Sequence, residues 1–193
     1  MSRVNLFLIG VNKAGTSWLH YRLVAHPRIY MAAEKELYYF GERHPEDLEK
    51  YHKHFPFKED YRYFGDATPM YYRSETARRE IAEYAEAEAR ILAIVRDPVE
   101  RLRSQYYYHR QLGLVREDTS LESVLADGTS RLLEDSRYER WFPAWEDAFG
   151  DRFHLVSLER ANARPEATWS ELLAFLDLPY VEPPAPEDRP SNA

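Results

Sequence analysis

The 193-residue chain contains no cysteine. It therefore cannot form disulfides, use a thiolate nucleophile, or bind zinc or an iron–sulfur cluster through cysteine. Its only His-x-His pair is formed by His52 and His54, in a polar stretch that is typical of a solvated helix face. Because a metal site normally needs three or four converging ligands, no metal site is predicted. The absence of cysteine is also consistent with a cytoplasmic protein, which is our expectation.

Long apolar runs are absent as well. No stretch approaches the roughly 18 apolar residues needed to span a bilayer, so no membrane partner is expected. The apolar run at residues 4–9 lacks the length and cleavage site of a secretory signal, and it leads directly into Gly10. The net charge is −7, so the surface as a whole should not attract nucleic acid.

The remaining pattern alternates between strands and helices. Strands are predicted at residues 4–9, 61–64, 91–95 and 153–157, with a short extra strand at 28–31. Helices are predicted at residues 16–25, 74–88, 98–110, 138–149 and 165–176. This alternation predicts an α/β domain of three layers, with a central, mostly parallel sheet flanked by helices. We expect one domain over residues 1–178, followed by a Pro-rich extended tail over residues 179–193.

A glycine loop follows the first predicted strand. Gly10 and Gly15 have the spacing of a P-loop, in which backbone N–H groups and a helix N-terminus bind an anion, so the domain is P-loop-like. The Walker lysine position holds Thr16, whereas Lys13 lies inside the loop. A lysine inside the loop is better placed to bind a 5′-phosphate and the bridging oxygen beyond it than to reach the β- and γ-phosphates of a nucleoside triphosphate. The alternative is an ordinary strand–helix connection with a capped helix.

A second constellation begins where the strand at residues 91–95 ends. Arg96 lies at the carboxyl edge of the predicted sheet, where α/β folds bind ligands, and Asp97-Pro98 starts a helix. Ser104 follows about two helical turns later and can face the same crevice. A guanidinium and a hydroxyl suit a phosphate monoester. The alternative is that Arg96 forms a surface ion pair with Asp97 or a glutamate and that Ser104 has only a structural role.

Together the two segments resemble the sulfotransferases that use 3′-phosphoadenosine-5′-phosphosulfate (PAPS). Residues 13–19 (KAGTSWL) are similar to that family's 5′-phosphosulfate loop, and Arg96 to Ser104 is similar to its 3′-phosphate motif. The resemblance implies PAPS as co-substrate, its desulfated form PAP as product, and no metal. The nucleotide-binding residues that it implies are Lys13, Ala14, Gly15, Thr16, Ser17, Trp18, Arg96 and Ser104.

The likeness extends to the heparan-sulfate-type branch and its bacterial relatives, through residues 9–16, 26–27, 35–40, 67–71 and 141–178. It implies that Glu36 is the catalytic base and that Lys13 assists catalysis. From the residues alone, Glu34 and Glu36 alternate and chemistry does not separate them. Acceptor-cleft residues are expected to be Tyr38, Asp66 and Tyr71.

Two positions depart from that branch. Tyr38 stands where the branch often has histidine, and Ala67 stands where heparan-type members carry lysine. A heparan-like polyanion is therefore not the expected acceptor. We expect in-line sulfuryl transfer from PAPS to a hydroxyl or amine of a carbohydrate or small molecule.

Two other functions remain open. Family members usually continue past this point with a basic, glycine-containing loop over the nucleotide, so one alternative is a catalytically inactive PAP-binding module. The other is a P-loop kinase, against which Thr16 at the Walker lysine position counts.

Overall fold

The computed structural model describes residues 3–41, 48–128 and 130–183, in which five strands form one sheet. The strands are β1 (Leu6–Gly10), β2 (Ile29–Met31), β3 (Tyr63–Ala67), β4 (Arg90–Val95) and β5 (Phe153–Ser157). Their order is β2-β3-β1-β4-β5, and every neighbouring pair is parallel. The predicted parallel sheet and the short extra strand predicted at residues 28–31 are confirmed.

The third strand differs from its prediction in where it begins and ends. The prediction covers residues 61–64, whereas β3 continues through Gly65 and Asp66, residue types that strands disfavour. Pairing explains the difference, because Leu6 and Phe7 of β1 lie opposite Gly65 and Asp66 in a fully buried ladder.

Eight α-helices connect or follow these strands within the described residues. They are α1 (Thr16–Val24), α2 (Leu48–His52), α3 (Glu75–Tyr84), α4 (Pro98–Gln111), α5 (Leu121–Ala126), α6 (Phe142–Phe149), α7 (Leu158–Ala163) and α8 (Pro165–Phe175). Side-chain caps fix several starts: Ser74 accepts from the Ala77 N–H, and Asp97 accepts from the Val99 and Glu100 N–H groups. The predicted helix at 138–149 begins only at Phe142, after a 3₁₀ turn.

The core lies on both faces of the sheet. Because successive strand residues point to opposite faces, Phe7 and Ile9 of β1 join the cluster around Trp145, while Leu6 and Leu8 join the cluster around Trp169. Helices therefore cover both faces, which confirms the three-layer α/β architecture.

A third, smaller core lies on the outer face of α4. Leu102 and Tyr106 of that helix pack with Leu132, and residues between 115 and 124 contact this group. The Tyr106 hydroxyl donates to the Thr119 carbonyl at 2.6 Å. We call the described residues 112–128 and 130–135 the outer lobe, since they form a wall beside α4.

The first tail residues lie against the domain. The Pro179 carbonyl is 3.1 Å from His26 Nε2, and the Val181 carbonyl accepts from the Trp169 indole N–H at 2.7 Å. The rest of the predicted tail, residues 184–193, lies outside the described residues. In the part of the chain that the structure describes, no helix has the length and apolar character needed to cross a bilayer.

Candidate active site

The glycine loop joins β1 to α1, and close packing requires both of its glycines. A Cβ on Gly10 would lie 2.7 Å from Tyr72 Cδ1, and one on Gly15 would lie 2.9 Å from Leu158 Cδ1. Gly15 also has φ 101°, a left-handed value that other residues rarely adopt. Because Gly15 has no side chain to cap α1, the first-turn N–H groups of that helix can donate to an anion.

A cavity of about 580 Å³ opens beside this loop, and we call it the loop cavity. It is lined by Asn12, Lys13, Gly15, Thr16, Ser17, Glu36, Tyr38, Pro69, Met70, Gln105 and Tyr108. The fold therefore brings the predicted phosphate loop and the predicted base into one cavity, although they are more than 20 residues apart in the sequence.

Lys13 lies at the edge of the loop cavity. Its backbone has φ 66°, and its Nζ lies 3.8 Å from the centroid of the Tyr108 ring, a cation–π contact. Partial burial lowers the pKa of the Lys13 ammonium. Tyr108 is a residue that the sequence did not single out, since tyrosines are common along α4.

The structure separates Glu36 from Glu34. Glu36 lines the loop cavity, and its Oε2 accepts a hydrogen bond of 2.6 Å from the Tyr38 hydroxyl. Positive φ values of 60° at Glu36 and 48° at Tyr38 shape this segment, and the Glu36 N–H donates to the Ala67 carbonyl at the end of β3. Glu34 is highly exposed, and its Oε2 lies 3.7 Å from His54 Nδ1. The two alternating acids therefore have different surroundings, and Glu36 is the one beside the loop.

Asp66 and Tyr71 lie in the core. Asp66 is fully buried, and it accepts hydrogen bonds from the hydroxyls of Thr68, Tyr51 and Tyr71 at 2.7, 3.1 and 3.2 Å. Burial raises the pKa of Asp66 to about 6. The Tyr71 hydroxyl also accepts from the Phe40 N–H, so this cluster supports the segment that carries Glu36. Of the three expected cleft residues, only Tyr38 lines the loop cavity or either of the two cavities that adjoin it, which are described below.

The second predicted anion site lies at the same edge of the sheet. Arg96 follows β4, which pairs directly with β1, and its Nη2 donates to Glu100 Oε2 at 3.3 Å. The Asp97 N–H donates to Glu159 Oε1 at 2.8 Å, which ties this turn to α7. Ser104 is half-buried on α4. Neither Arg96 nor Ser104 lines the loop cavity, so both residues lie outside that cavity.

Ala14 and Trp18 occupy supporting positions. Ala14 is fully buried, so it can offer a ligand only its backbone. Trp18 is half-buried, and the Arg22 guanidinium lies 4.5 Å from the centroid of its ring.

Lys35 is a site residue that sequence reasoning missed. Its Nζ donates to Ser17 Oγ at 3.3 Å, at the start of α1 and beside the loop cavity. Burial lowers the pKa of Lys35, and the neighbouring Glu36 carboxylate opposes that shift. No spacing rule in the sequence indicates this contact, because it depends on how the segment after β2 packs on α1.

A chain of polar side chains links the loop to α4. Asn12 Nδ2 donates to Gln105 Oε1 at 2.8 Å, and Gln105 Nε2 lies 2.6 Å from His109 Nε2. The fully buried Arg101 donates to Ser136 Oγ and the Leu132 carbonyl at 2.8 and 2.9 Å, and lies 3.4 Å from Asn12 Oδ1. The same network therefore braces both the loop and the outer lobe.

Two further cavities adjoin the loop cavity. The lobe cavity, of about 620 Å³, is lined by Asn12, Met70, Arg73, Gln105, His109, Leu114, Val115, Arg116, Thr119, Ser123, Val124, Asp127, Ser130, Arg131, Leu132 and Asp135. The arginine cavity, of about 590 Å³, is lined by Tyr38, Met70, Arg73, Ser74 and Arg131. Met70 lines all three cavities, so they meet at this side chain. Among the described residues, no group of three or more His, Cys, Asp or Glu is arranged to hold a metal ion.

Comparisons with known proteins find sequence relatives of this chain. A family profile described as the sulfotransferase domain matches residues 3–187. A membrane-associated sulfotransferase from Dictyostelium discoideum is 37% identical over 111 residues, covering 55% of this chain. The matched part is only 23% of that relative's length.

Solved structures show the same fold at low identity. A sulfotransferase from Alicyclobacillus acidocaldarius has a TM-score of 0.77 at 23% identity, covering all of this chain and 88% of that one. A mouse sulfotransferase complexed with PAP has a TM-score of 0.68 at 17% identity, covering 94% of this chain and 62% of that one.

Proposed function

The chain belongs to the sulfotransferase family, and from this premise we propose that it transfers the sulfuryl group of PAPS to an acceptor hydroxyl or amine, with Glu36 as the base. Family membership supports a sulfuryl transfer in general and confirms the resemblance seen in the sequence. The observation that carries the proposal is that Glu36, Lys13 and the N-terminus of α1 border one cavity. The proposed acceptor is a carbohydrate or a small molecule.

The donor set of the site fits PAPS. The first-turn amides of α1, the Lys13 ammonium and the hydroxyls of Thr16 and Ser17 can hold the 5′-phosphosulfate end. Arg96, which follows β4, and Ser104, on α4, can hold the 3′-phosphate. A PAP complex among the structural neighbours supports the assignment of the nucleotide.

When bound, PAPS supplies an activated sulfuryl group. In the proposed step, Glu36 accepts the proton of the acceptor hydroxyl as the new oxygen–sulfur bond forms and the bond from sulfur to the 5′-phosphate oxygen breaks, leaving its electron pair on PAP. The Tyr38 hydroxyl donates a hydrogen bond to Glu36 Oε2. This bond orients the carboxylate, so that Oε1 takes the proton. Lys13 and the α1 amides stabilise the negative charge that develops on the leaving phosphate oxygen. Lys35, whose Nζ donates to Ser17 Oγ, adds a second cation on the side of the transferred sulfuryl group.

Replacement of Glu36 tests the proposed base, and Glu34 offers a matched control. Glu36→Gln should lower turnover about 10²- to 10⁴-fold, the usual contribution of a positioned acid–base group, and PAP binding should survive. Glu34→Gln removes a carboxylate two residues away that does not line the loop cavity, so turnover should stay near the wild-type rate. Turnover is measured by transfer from radiolabelled PAPS to the best acceptor in a panel of alcohols, phenols and amines. Equal turnover of Glu36→Gln and Glu34→Gln contradicts the assignment of Glu36.

A nucleotide comparison tests the co-substrate independently of any acceptor. PAP should raise the unfolding temperature more than ADP, AMP or ATP does, because only PAP offers phosphates to both the glycine loop and Arg96. Stabilisation by ATP that requires Mg²⁺ would instead indicate a kinase. Binding of PAP without transfer to any acceptor would indicate an inactive nucleotide-binding module.

A further inference from the structure

The arginine cavity is positively charged. Arg73 and Arg131 line it, together with uncharged side chains. Behind them lies the buried carboxylate of Asp135, which accepts from Arg73 Nη1 at 2.6 and 2.7 Å and lies 3.5 Å from Arg131 Nε. Two guanidiniums therefore share one carboxylate, and the group keeps one net positive charge. The Arg131 side chain is 61% exposed, so it can turn toward a ligand without uncovering the core.

The adjoining lobe cavity supplies an apolar wall. Leu114, Val115, Val124 and Leu132 line it on the side of the outer lobe, and Leu114 is 69% exposed although it borders the cavity. Such a wall favours a ligand with an apolar body, because contact removes apolar surface from water on both partners. A fully hydrated sugar chain offers little of that surface.

The arginine cavity is connected to the proposed base through Tyr38. Tyr38 lines the arginine cavity and the loop cavity, and its hydroxyl is bonded to Glu36. Met70 lies where all three cavities meet. A molecule whose anionic group lies between Arg73 and Arg131 can therefore extend past Tyr38 and present a hydroxyl to Glu36.

We propose that the acceptor is an amphipathic alcohol or phenol that carries one anionic group, which Arg73 and Arg131 bind while the outer lobe contacts the apolar body. This inference rests on the proposed sulfuryl transfer and names its substrate class. One unbalanced positive charge matches a single anion. The described residues that line the arginine cavity offer a polyanion no further cation to balance its additional charges, and the chain has a net charge of −7.

Matched probes test the class directly. The acids 8-hydroxyoctanoate and 3-(4-hydroxyphenyl)propionate are compared with their neutral counterparts 1-octanol and 4-ethylphenol, and a heparosan octasaccharide serves as the polyanion. With radiolabelled PAPS, each acid should have a kcat/KM about tenfold or more above its neutral counterpart, the usual effect of a charge-assisted contact. The same acids should also bind the PAP-loaded protein in calorimetry, whereas the neutral counterparts should bind much more weakly.

Arg131→Gln isolates the anion contact. It should lower kcat/KM for the acids about tenfold more than it lowers kcat/KM for 1-octanol and 4-ethylphenol. Arg160→Gln, which removes an exposed arginine of α7 outside the three cavities, is the control and should change neither. Arg73→Gln is a second variant, read only if it folds, because it leaves the buried Asp135 carboxylate with Arg131 alone.

Several results overturn the acceptor class while leaving the sulfotransferase proposal intact. They are equal rates on acid and neutral probes, a preference for the octasaccharide, or an Arg131→Gln effect that is the same for all probes. Sulfuryl transfer to other acceptors, without transfer to either acid, would also overturn the acceptor class and leave the sulfotransferase proposal intact. If PAP fails to stabilise the protein and no acceptor is sulfated, the proposed function itself fails.

Discussion

Lys35 should distinguish PAPS from PAP. Its Nζ donates to Ser17 Oγ at the start of α1, whereas Lys13 lies against Tyr108. The two cations therefore approach the glycine loop from different elements, and Lys35 is the one that directly precedes the proposed base. We expect Lys35 to contact the oxygens of the sulfuryl group, which PAP lacks.

The size of the effect follows from the surroundings of Lys35. Two unit charges about 4 Å apart attract by about 1 kcal/mol in water and about 4 kcal/mol at the effective dielectric constant of a protein surface. Lys35 is only half-buried, so the lower part of that range applies best, and charge-assisted hydrogen bonds typically contribute about 1.5–3 kcal/mol. Lys35→Gln should therefore lower PAPS affinity, or kcat at saturating PAPS, by about 10- to 100-fold, since each tenfold change is about 1.4 kcal/mol.

Calorimetry with fresh PAPS and with PAP, in the absence of acceptor, measures the ground-state contact, and single-turnover transfer measures the transition-state contact. Lys35→Arg, which keeps the charge, should restore part of the loss. Lys53→Gln, at an exposed lysine beyond α2, should leave both measurements close to wild type. Equal losses of PAPS and PAP affinity would show that Lys35 acts on the loop and not on the sulfuryl group, and unchanged affinity and turnover would refute any role.

Two further predictions concern the second anion site and the buried carboxylate. Arg96→Ala should weaken PAP binding by about 1.5–3 kcal/mol in calorimetry. Arg103→Ala, which removes another partner of Glu100, should have little effect, so equal losses would reject Arg96 as the 3′-phosphate ligand. Asp66 has a pKa of about 6 in the fold against 3.8 ordinarily, so the folded state binds its proton more tightly than the unfolded state does. Ionisation of Asp66 should therefore lower the free energy of unfolding by about 3 kcal/mol between about pH 4 and pH 6, relative to Asp66→Asn. The same pH dependence of the free energy of unfolding in both proteins across that range would refute this prediction.

The parts of the fold that the sequence predicted are those encoded within one segment. The apolar runs of β1 and β4 indicate strands that are covered on both faces, and the structure confirms them. The short helices α2, α5 and α7 fall outside the prediction because five or six residues do not show a helical period. For α7 a local signal was present, since Ser157 Oγ accepts from the Arg160 N–H as an N-cap.

The residues of the candidate site also fall into those that the sequence can predict and those that it cannot. The glycine loop and Arg96 are predictable because each lies at a single strand–helix junction with its own motif. Lys35 and Gln105 are not predictable, because their contacts join residues that are far apart in the sequence, such as Asn12 and Gln105 at a separation of 93. The family resemblance already selects Glu36 over Glu34, and the structure adds that only Glu36 of the two lines the loop cavity.

Arg101 connects the proposed nucleotide site to the proposed acceptor site. Its guanidinium is fully buried and is bonded to Ser136 Oγ and the Leu132 carbonyl of the lobe side, while Asn12 of the glycine loop lies within 3.4 Å. A buried cation that is held by neutral acceptors is costly to displace, so Arg101 fixes the positions of the loop and the lobe relative to each other. Asn12 also contacts Gln105, and both line the cavities on either side of this connection. Arg101, Asn12 and Gln105 therefore form one polar connection between the proposed nucleotide site and the proposed acceptor site.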